Sequence, residues 1–304
     1  MALFDKIAII GLGLIGSSIA RGIKDKKLAD VLSGYDINPD YQNTIKELCL
    51  VDDLCTKIGD AVKDADLIIL ATPVGTYSEI GKEIKSYLKE GAILSDVGSV
   101  KAAVFEMLGP STPENVHLIP AHPVAGTEQS GPESGFSSLF QDRWAIITPL
   151  DDADQNAVDK LSKFWQGLGS NVEIMNATHH DKVLAITSHV PHLIAYNIVG
   201  TARDLEEVTK SEVIKFSAGG FRDFTRIAAS NPTMWRDVFL NNKEAVLEML
   251  GRFSEDLTAL QRAIRWGDGD TLYDMFVKTR RIRRQIIDAG QDEDVADFGR
   301  KHDK

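Results

Sequence analysis

Three glycines, Gly11, Gly13 and Gly16, stand in the stretch GLGLIG, directly behind the apolar run KIAII and directly ahead of SSIARGIK. A strand, a glycine turn and a helix in that order form a unit with a definite use. The first glycine permits the tight turn, the second lets backbone N–H groups meet an anion at close range, and the third lets the helix pack closely on the strand. The helix then presents its positive N-terminal end to phosphate. Glycine-rich turns are common, so the pattern alone is weak, but a partner is present. Asp36 ends the second predicted strand, LSGYD, 20 residues after Gly16. A carboxylate there accepts hydrogen bonds from a ribose 2′-hydroxyl and repels a 2′-phosphate. The unit reads as a site for NAD rather than NADP, with Gly11, Gly13, Leu14, Ile15, Gly16 and Asp36 as the cofactor contacts.

The runs VLSGYD, ADLIILAT, GAILSDVG, NVHLIPAHP and RWAIITP then alternate with amphipathic stretches as far as Pro149, followed by a helix in QNAVDKLSKFWQGLG and a last strand in NVEIM. Strands spaced by helical segments predict an α/β domain over residues 1–176, a Rossmann-type doubly wound parallel sheet. From Ala177 the strand signal stops, and residues 177–304 are predicted to form an all-helical domain with a polar, loosely held tail after Gly290. Within it Val246, Leu250, Phe253, Leu257, Leu260 and Ile264 follow an a/d heptad spacing. That stripe fits a contact inside the chain and a contact between two copies equally well.

A net charge of -11 repels phosphate backbones and anionic lipid heads, so neither nucleic acid nor membrane is expected as a partner. The basic run KTRRIRR near the C-terminus scatters its arginines around several helix faces and reads as a solvated surface. Cys49 and Cys55 suit neither a disulfide framework nor a CxxC pair, which points to a reducing compartment. The N-terminal apolar run contains Asp5 and reads as a strand rather than a signal peptide, and no apolar run approaches the roughly 20 residues of a membrane span. A cytoplasmic location is the expectation.

The chemistry gathers at predicted strand ends, where open α/β sheets bind ligands. Thr72 and Pro73 of ATPV are placed against the dinucleotide. Ser99 of SDVGSVK falls where a helix begins, so it reads as a helix cap and as a hydroxyl facing nicotinamide and substrate. His122 of HPVAGTEQSG follows another strand, and an imidazole suits removal of a hydroxyl proton as hydride leaves the same carbinol. SHVPH sets His189 and His192 three apart across a kink at Pro191. No carboxylate or cysteine completes a ligand set there, so no metal is expected. The stretch GGFRDFTRIAASNPTMWRD brings Arg222, Asp223, Arg226, Trp235 and Arg236 together. Arginine offers a planar fork to a carboxylate, and Trp235 can wall an apolar ring.

Taken in order, GLGLIGSSIA, DVGSVK, HPVAGTEQSG, SHVPH and GFRDFTRIA with NPTMWRD resemble the motifs of the prephenate and arogenate (cyclohexadienyl) dehydrogenases over nearly the whole chain. The resemblance implies a nucleotide-binding domain and a helical domain that forms an interleaved homodimer, with the heptad stripe in the interface. It implies NAD-dependent oxidative decarboxylation of prephenate or arogenate, in which hydride leaves the ring carbon bearing the hydroxyl and the ring carboxylate departs as carbon dioxide. His122 and Ser99 take the catalytic positions. Thr127, Glu128, His192, Arg226 and Trp235 take substrate-pocket positions, Arg226 as the carboxylate fork, and Arg222 and Asp223 fall where a neighbouring subunit closes the site. No room is left after the helical domain for the ACT-type regulatory domain of some relatives, so inhibition by tyrosine is expected at the active site. One rival is a β-hydroxyacid or 6-phosphogluconate type dehydrogenase with Lys182 as its acid/base group; another is an NAD-sensing regulator without turnover. With Asp36 on the ribose, kcat/KM with NAD should exceed that with NADP by roughly tenfold or more. Equal values for the two cofactors, in a steady-state assay of each, would contradict the reading of Asp36.

Overall fold

The computed structural model describes residues 2–209, 215–217 and 219–288; the expected loose tail after Gly290 lies outside the described residues. β1 (Phe4–Ile10) is followed by α1 (Leu14–Lys26), β2 (Ala29–Tyr35), α2 (Pro39–Glu47), β3 (Asp53–Leu54), α3 (Ile58–Val62) and β4 (Leu67–Leu70). Then come α4 (Tyr77–Ile84), β5 (Ile93–Asp96), α5 (Ala102–Leu108) and β6 (His117–Leu118). The six strands form one sheet in the order β3-β2-β1-β4-β5-β6, every pair parallel. Strand order reverses between β1 and β4, which opens a crevice at the carboxyl ends of those two strands.

Side chains alternate across the pleat of β1, so Ile7 and Ile9 enter one apolar layer with Phe4, Phe164 and Trp165, while Ala8 and Ile10 enter the other with Ile68, Leu70 and Trp235. Burial on both faces explains the uninterrupted apolar runs, which a strand with one wet face does not show.

A single parallel sheet was the expectation for all the runs up to NVEIM, and here the structure differs. NVHLIPAHP is cut in two: β6 closes the parallel sheet, and β7 (Ala121–Pro123) starts a second sheet with β8 (Trp144–Ile147) and β9 (Asn171–Ile174). β7 pairs antiparallel with β8, and β8 parallel with β9 across α6 (Gln155–Gly167). The break falls at Pro120, which has no N–H to give a ladder; its carbonyl accepts from Thr148 instead.

The helical part begins with α7 (Ala177–Leu184), a π-turn at Ala185–His189 and α8 (Val190–Thr209). Pro191 explains the π-turn: it offers no N–H, and its ring presses on the carbonyl four residues back, so the preceding turn widens. α9 (Gly219–Thr225), a 3₁₀ turn at Arg226–Ala229, α10 (Pro232–Asn241), α11 (Lys243–Trp266) and α12 (Gly269–Asp288) follow. Against the expectation that no apolar run approaches a membrane span, the continuous run 177–204 has the length and, in its most apolar window, the mean hydropathy, 1.3, of one. It also carries His180, Asp181 and His189, each buried and each in a polar contact, which fits a protein interior rather than lipid.

The chain divides into compact units at residues 1–247 and 248–304. In the first, Trp235 and Val238 of α10 share an apolar cluster with Ile10 and Leu70 of the sheet. Of the heptad stripe, Val246 is buried in the first unit; in the second, Leu250, Phe253 and Leu260 are half-buried, while Leu257 is 44% and Ile264 67% exposed, and Tyr273 and Phe276 of α12 are also exposed.

A β-carbon on Gly16 would overlap the carbonyl oxygen of Gly11. Gly16→Ala should therefore lower stability by about 1–3 kcal/mol through over-packing at the first turn of α1. Urea unfolding measures this; an unshifted midpoint would contradict the close seat of α1 on the glycine turn.

Candidate active site

A cavity of about 610 Å³ occupies the crevice between the ends of β1 and β4. Gly11, Gly13, Leu14, Ile15, Asp36, Thr72, Pro73, Ser99, His122, Thr127 and Glu128 all line it. Gly11 has φ +89°, and a β-carbon there would stand 2.8 Å from the carbonyl oxygen of Ala71. Gly13 caps α1 with no side-chain hydrogen bond, and a β-carbon on it would meet nothing within 4 Å. The first-turn N–H groups of α1 thus face an open space without a protein partner, the arrangement that a pyrophosphate fills.

Asp36 has two tasks. Its Oδ2 accepts from Leu12 N at 2.8 Å and its Oδ1 from Asn38 N at 2.9 Å, so it ties the glycine turn to the end of β2 while bordering the cavity. Each oxygen retains a second lone pair, so the turn contacts leave acceptor capacity facing the cavity. Thr72 hydrogen-bonds Thr76 at 2.9 Å, and Gly75 N donates to Asp237 Oδ2 of α10 at 3.2 Å. The sequence reading missed Asp237; no local signal joins positions so far apart.

Across the cavity, the end of β5 is built on a buried ion pair. Lys101 Nζ lies 2.6 Å from both oxygens of Asp96 and donates to the Ala121 carbonyl at 2.7 Å. Asp96 also accepts from Gly98 N, Ala121 N and the Tyr77 hydroxyl. Burial pushes the Asp96 carboxyl up and the Lys101 ammonium down, and their mutual attraction opposes both shifts. Burial, with Asp96 adding to it, raises the Tyr77 phenol well above its usual range.

Ser99 does not cap α5, contrary to expectation. The cap position falls at Lys101, and Asp181 of α7 takes over the work: Oδ1 accepts from Lys101 N at 2.8 Å and Oδ2 from Ala102 N at 2.9 Å. Ser99 lines the cavity instead.

His122, on β7, is 6% exposed, and its Nδ1 lies 2.8 Å from His180 Nε2. His180 Nδ1 in turn lies 2.8 Å from Asp181 Oδ1. Burial first, then the fields of His180, Lys101 and His189, holds the His122 imidazole well below its usual pKa. The shift favours the neutral ring over the imidazolium.

The remaining candidates stand apart from the cavity wall. His189 Nδ1 accepts from the Asn242 amide at 3.1 Å, and burial pushes its pKa down to about 4. His192 Nδ1 donates to the Ser188 carbonyl at 2.8 Å, and its ring stacks on Trp235 with centroids 3.7 Å apart. The π-turn thus sends the two histidines to different partners. Trp235 itself is 5% exposed and belongs to the core of the first unit. Arg226 reaches the cavity rim by its 2.9 Å ion pair with Glu128. Arg222 and Asp223 pair with each other at 3.4 Å, and Arg236 pairs with Asp237 at 2.7 Å. Lys182, which the rival acid/base scheme needs, is exposed on α7 and does not line the cavity.

Residues 19–174 match the family described as prephenate dehydrogenase, nucleotide-binding domain, and residues 176–278 match prephenate dehydrogenase, dimerization domain. The chain is similar to the cyclohexadienyl dehydrogenase of Zymomonas mobilis, 40% identical over 93% of this chain and 96% of that one. It is also similar to the prephenate dehydrogenase of Bacillus subtilis, 32% identical over 92% of this chain and 75% of that one. Among solved structures, the prephenate dehydrogenase of Aquifex aeolicus in complex with hydroxyphenyl propionate and NAD+ is 33% identical, with a TM-score of 0.85 over 93% of this chain and 98% of that one. With a nucleotide-type crevice and a buried histidine on its wall already in place, these matches settle the family: the chain belongs to the prephenate dehydrogenases.

Proposed function

We propose that this protein catalyses the NAD-dependent oxidative decarboxylation of prephenate to 4-hydroxyphenylpyruvate, of arogenate to tyrosine, or of both. One observation carries the reading: Ser99 and His122 share a single cavity wall with the glycine turn and Asp36. A ring hydroxyl seated there meets a proton acceptor beside the place where a nicotinamide lies. Gly11, Gly13, Leu14, Ile15, Gly16, Asp36, Thr72 and Pro73 hold the dinucleotide, which when bound supplies the hydride acceptor. His122 takes the hydroxyl proton at the ring nitrogen that faces the cavity, and the Ser99 hydroxyl orients the same oxygen. Loss of the ring carboxylate makes the ring aromatic, so no separate acid/base pair is needed for that bond.

Arg226 is the fork for the substrate carboxylate, and Thr127 and Glu128 complete that side of the pocket. A carboxylate reaching Arg226 has to share it with Glu128, whose own pKa is lowered by its backbone hydrogen bond and by Arg226. His192 and Trp235 form a stacked wall behind it, while Arg222 and Asp223 belong to the edge that a second subunit closes. The exposed Leu257 and Ile264 of α11 and the match to a dimerization domain support a homodimer through the helical part. In this scheme residues 1–176 bind the nucleotide and residues 177–304 bind substrate and make the dimer. Tyrosine, carrying a phenol and a carboxylate as the product does, competes at this site. The bacterial relatives and the thiol pair Cys49 and Cys55, both free, support a cytoplasmic location.

The exposed position of Lys182 counts against the β-hydroxyacid scheme. A regulator without turnover has no use for a neutral imidazole and a free hydroxyl beside the cofactor crevice. His122→Asn should keep NAD binding and reduce kcat by roughly two orders of magnitude or more, the scale of a lost acid/base group. Steady-state kinetics with a parallel NADH-binding titration measure both; near-normal turnover would remove His122 from the mechanism.

A further inference from the structure

His122 stands at the end of a line of hydrogen bonds that begins on α7. Asp181 accepts N–H from Lys101 and Ala102 at the start of α5, and its Oδ1 also meets His180 Nδ1 at 2.8 Å. His180 Nε2 meets His122 Nδ1 at 2.8 Å, with the rings edge-on at 72°, His180 fully enclosed and His122 6% exposed. The proton positions follow from donor and acceptor chemistry. A carboxylate oxygen only accepts, so the hydrogen of a neutral His180 is on Nδ1. Nε2 of that ring then only accepts, so the hydrogen of His122 is on Nδ1. The lone pair of His122 is left on Nε2, which has no hydrogen-bond partner among the described residues, on a residue that lines the cavity.

We propose that His180 is a positioning residue for the proton-accepting base: held by Asp181, it fixes His122 in the tautomer whose free nitrogen faces the substrate. The inference rests on the reading of His122 as the base. As the hydroxyl proton bonds to Nε2, the O–H electron pair stays with the substrate oxygen. The positive charge then spreads along the two rings towards Asp181. The groups facing the two rings divide by sign. Lys101 from α5 and His189 from the π-turn disfavour positive charge on them, and Asp181 from α7 and Asp96 from β5 favour it. Burial lowers the His180 pKa, which keeps the second ring neutral and able to accept from His122. A histidine buried only for packing needs neither this order of donors nor an acceptor aimed at a catalytic ring. Asp181 also explains why the line is rigid, because one side chain fixes both α5 and His180.

Two variants test the proposal. His180→Phe fills the space with neither donor nor acceptor, and His180→Gln keeps an acceptor for His122 and a donor for Asp181. Nitrogen NMR of isotope-labelled histidine in the ligand-free protein reads the tautomer directly, without any activity. The wild type should show His122 protonated at Nδ1, and His180→Phe should lose that preference. Turnover in His180→Phe should fall by roughly 10²-fold or more, as it does when a histidine base loses the group that sets its tautomer. KM and NADH binding should change little, and His180→Gln should recover most of the loss. Wild-type His122 protonated at Nε2, or an unchanged tautomer and kcat in His180→Phe, would overturn the proposal. Should the Phe variant not fold, the wild-type spectrum and the Gln variant decide it. A His122→Asn enzyme that still turns over removes the base but leaves the tautomer measurement standing, so the two failures are separable.

Discussion

At the carboxyl edge of the sheet the Lys101 ammonium is wholly enclosed, with both oxygens of Asp96 and the carbonyl of Ala121 as its partners. A buried charge left without partners costs several kcal/mol, and removal of one member of a buried pair is strongly destabilising, so these positions are not free to drift. Three segments meet at that point: the end of β5, the turn into α5 and the start of β7. Ala121 immediately precedes His122, so the contact that satisfies the ammonium also sets where that histidine stands. Asp96 accepts from Gly98 N on the other side, and a β-carbon on Gly98 would stand 2.9 Å from that carboxylate. The chain therefore leaves β5 in one way only, past Ser99 and into the cavity wall.

The glycine turn was legible because its signal is local. Gly11, Gly13 and Gly16 lie within six residues, and each requirement, for positive φ, open approach or close packing, belongs to one position. Asp36 was legible by its spacing after the second strand, although its hydrogen bonds to Leu12 and Asn38 were not. The supports of the site were hidden for the opposite reason. Asp181 caps a helix that starts 79 residues earlier, and Asp237 reaches Gly75 across 162. Nothing in a sequence window marks such pairs. Ser99 looked like a cap because serine near a helix start usually is one; the structure gives that place to Asp181, whose carboxylate reaches two N–H groups at once. The second sheet was hidden by Pro120, which splits what reads as one apolar run.

Helical segments after β9 serve the first unit in an unexpected way. α7 delivers Asp181 and His180, the π-turn at Ala185–His189 turns His189 towards Asn242 and leaves His192 to stack on Trp235, and α10 holds the loop after β4 through Asp237. These helices are part of the active-site scaffold rather than a separate attachment, which is why the compact unit extends to residue 247 and not to the end of the last strand. The acidic overall charge means that anionic ligands of the proposed site have to be drawn in by local groups and not by a general positive surface.

The central claim is that this cavity couples removal of a hydroxyl proton to hydride transfer on a cyclohexadienyl acid. Purified protein, NAD+ and either prephenate or arogenate as sole substrate test it by the appearance of NADH absorbance together with carbon dioxide release. The account predicts NADH and carbon dioxide in equal amounts with at least one of the two acids. NADH binding without turnover of either acid, or turnover of a simple β-hydroxyacid instead, would contradict it.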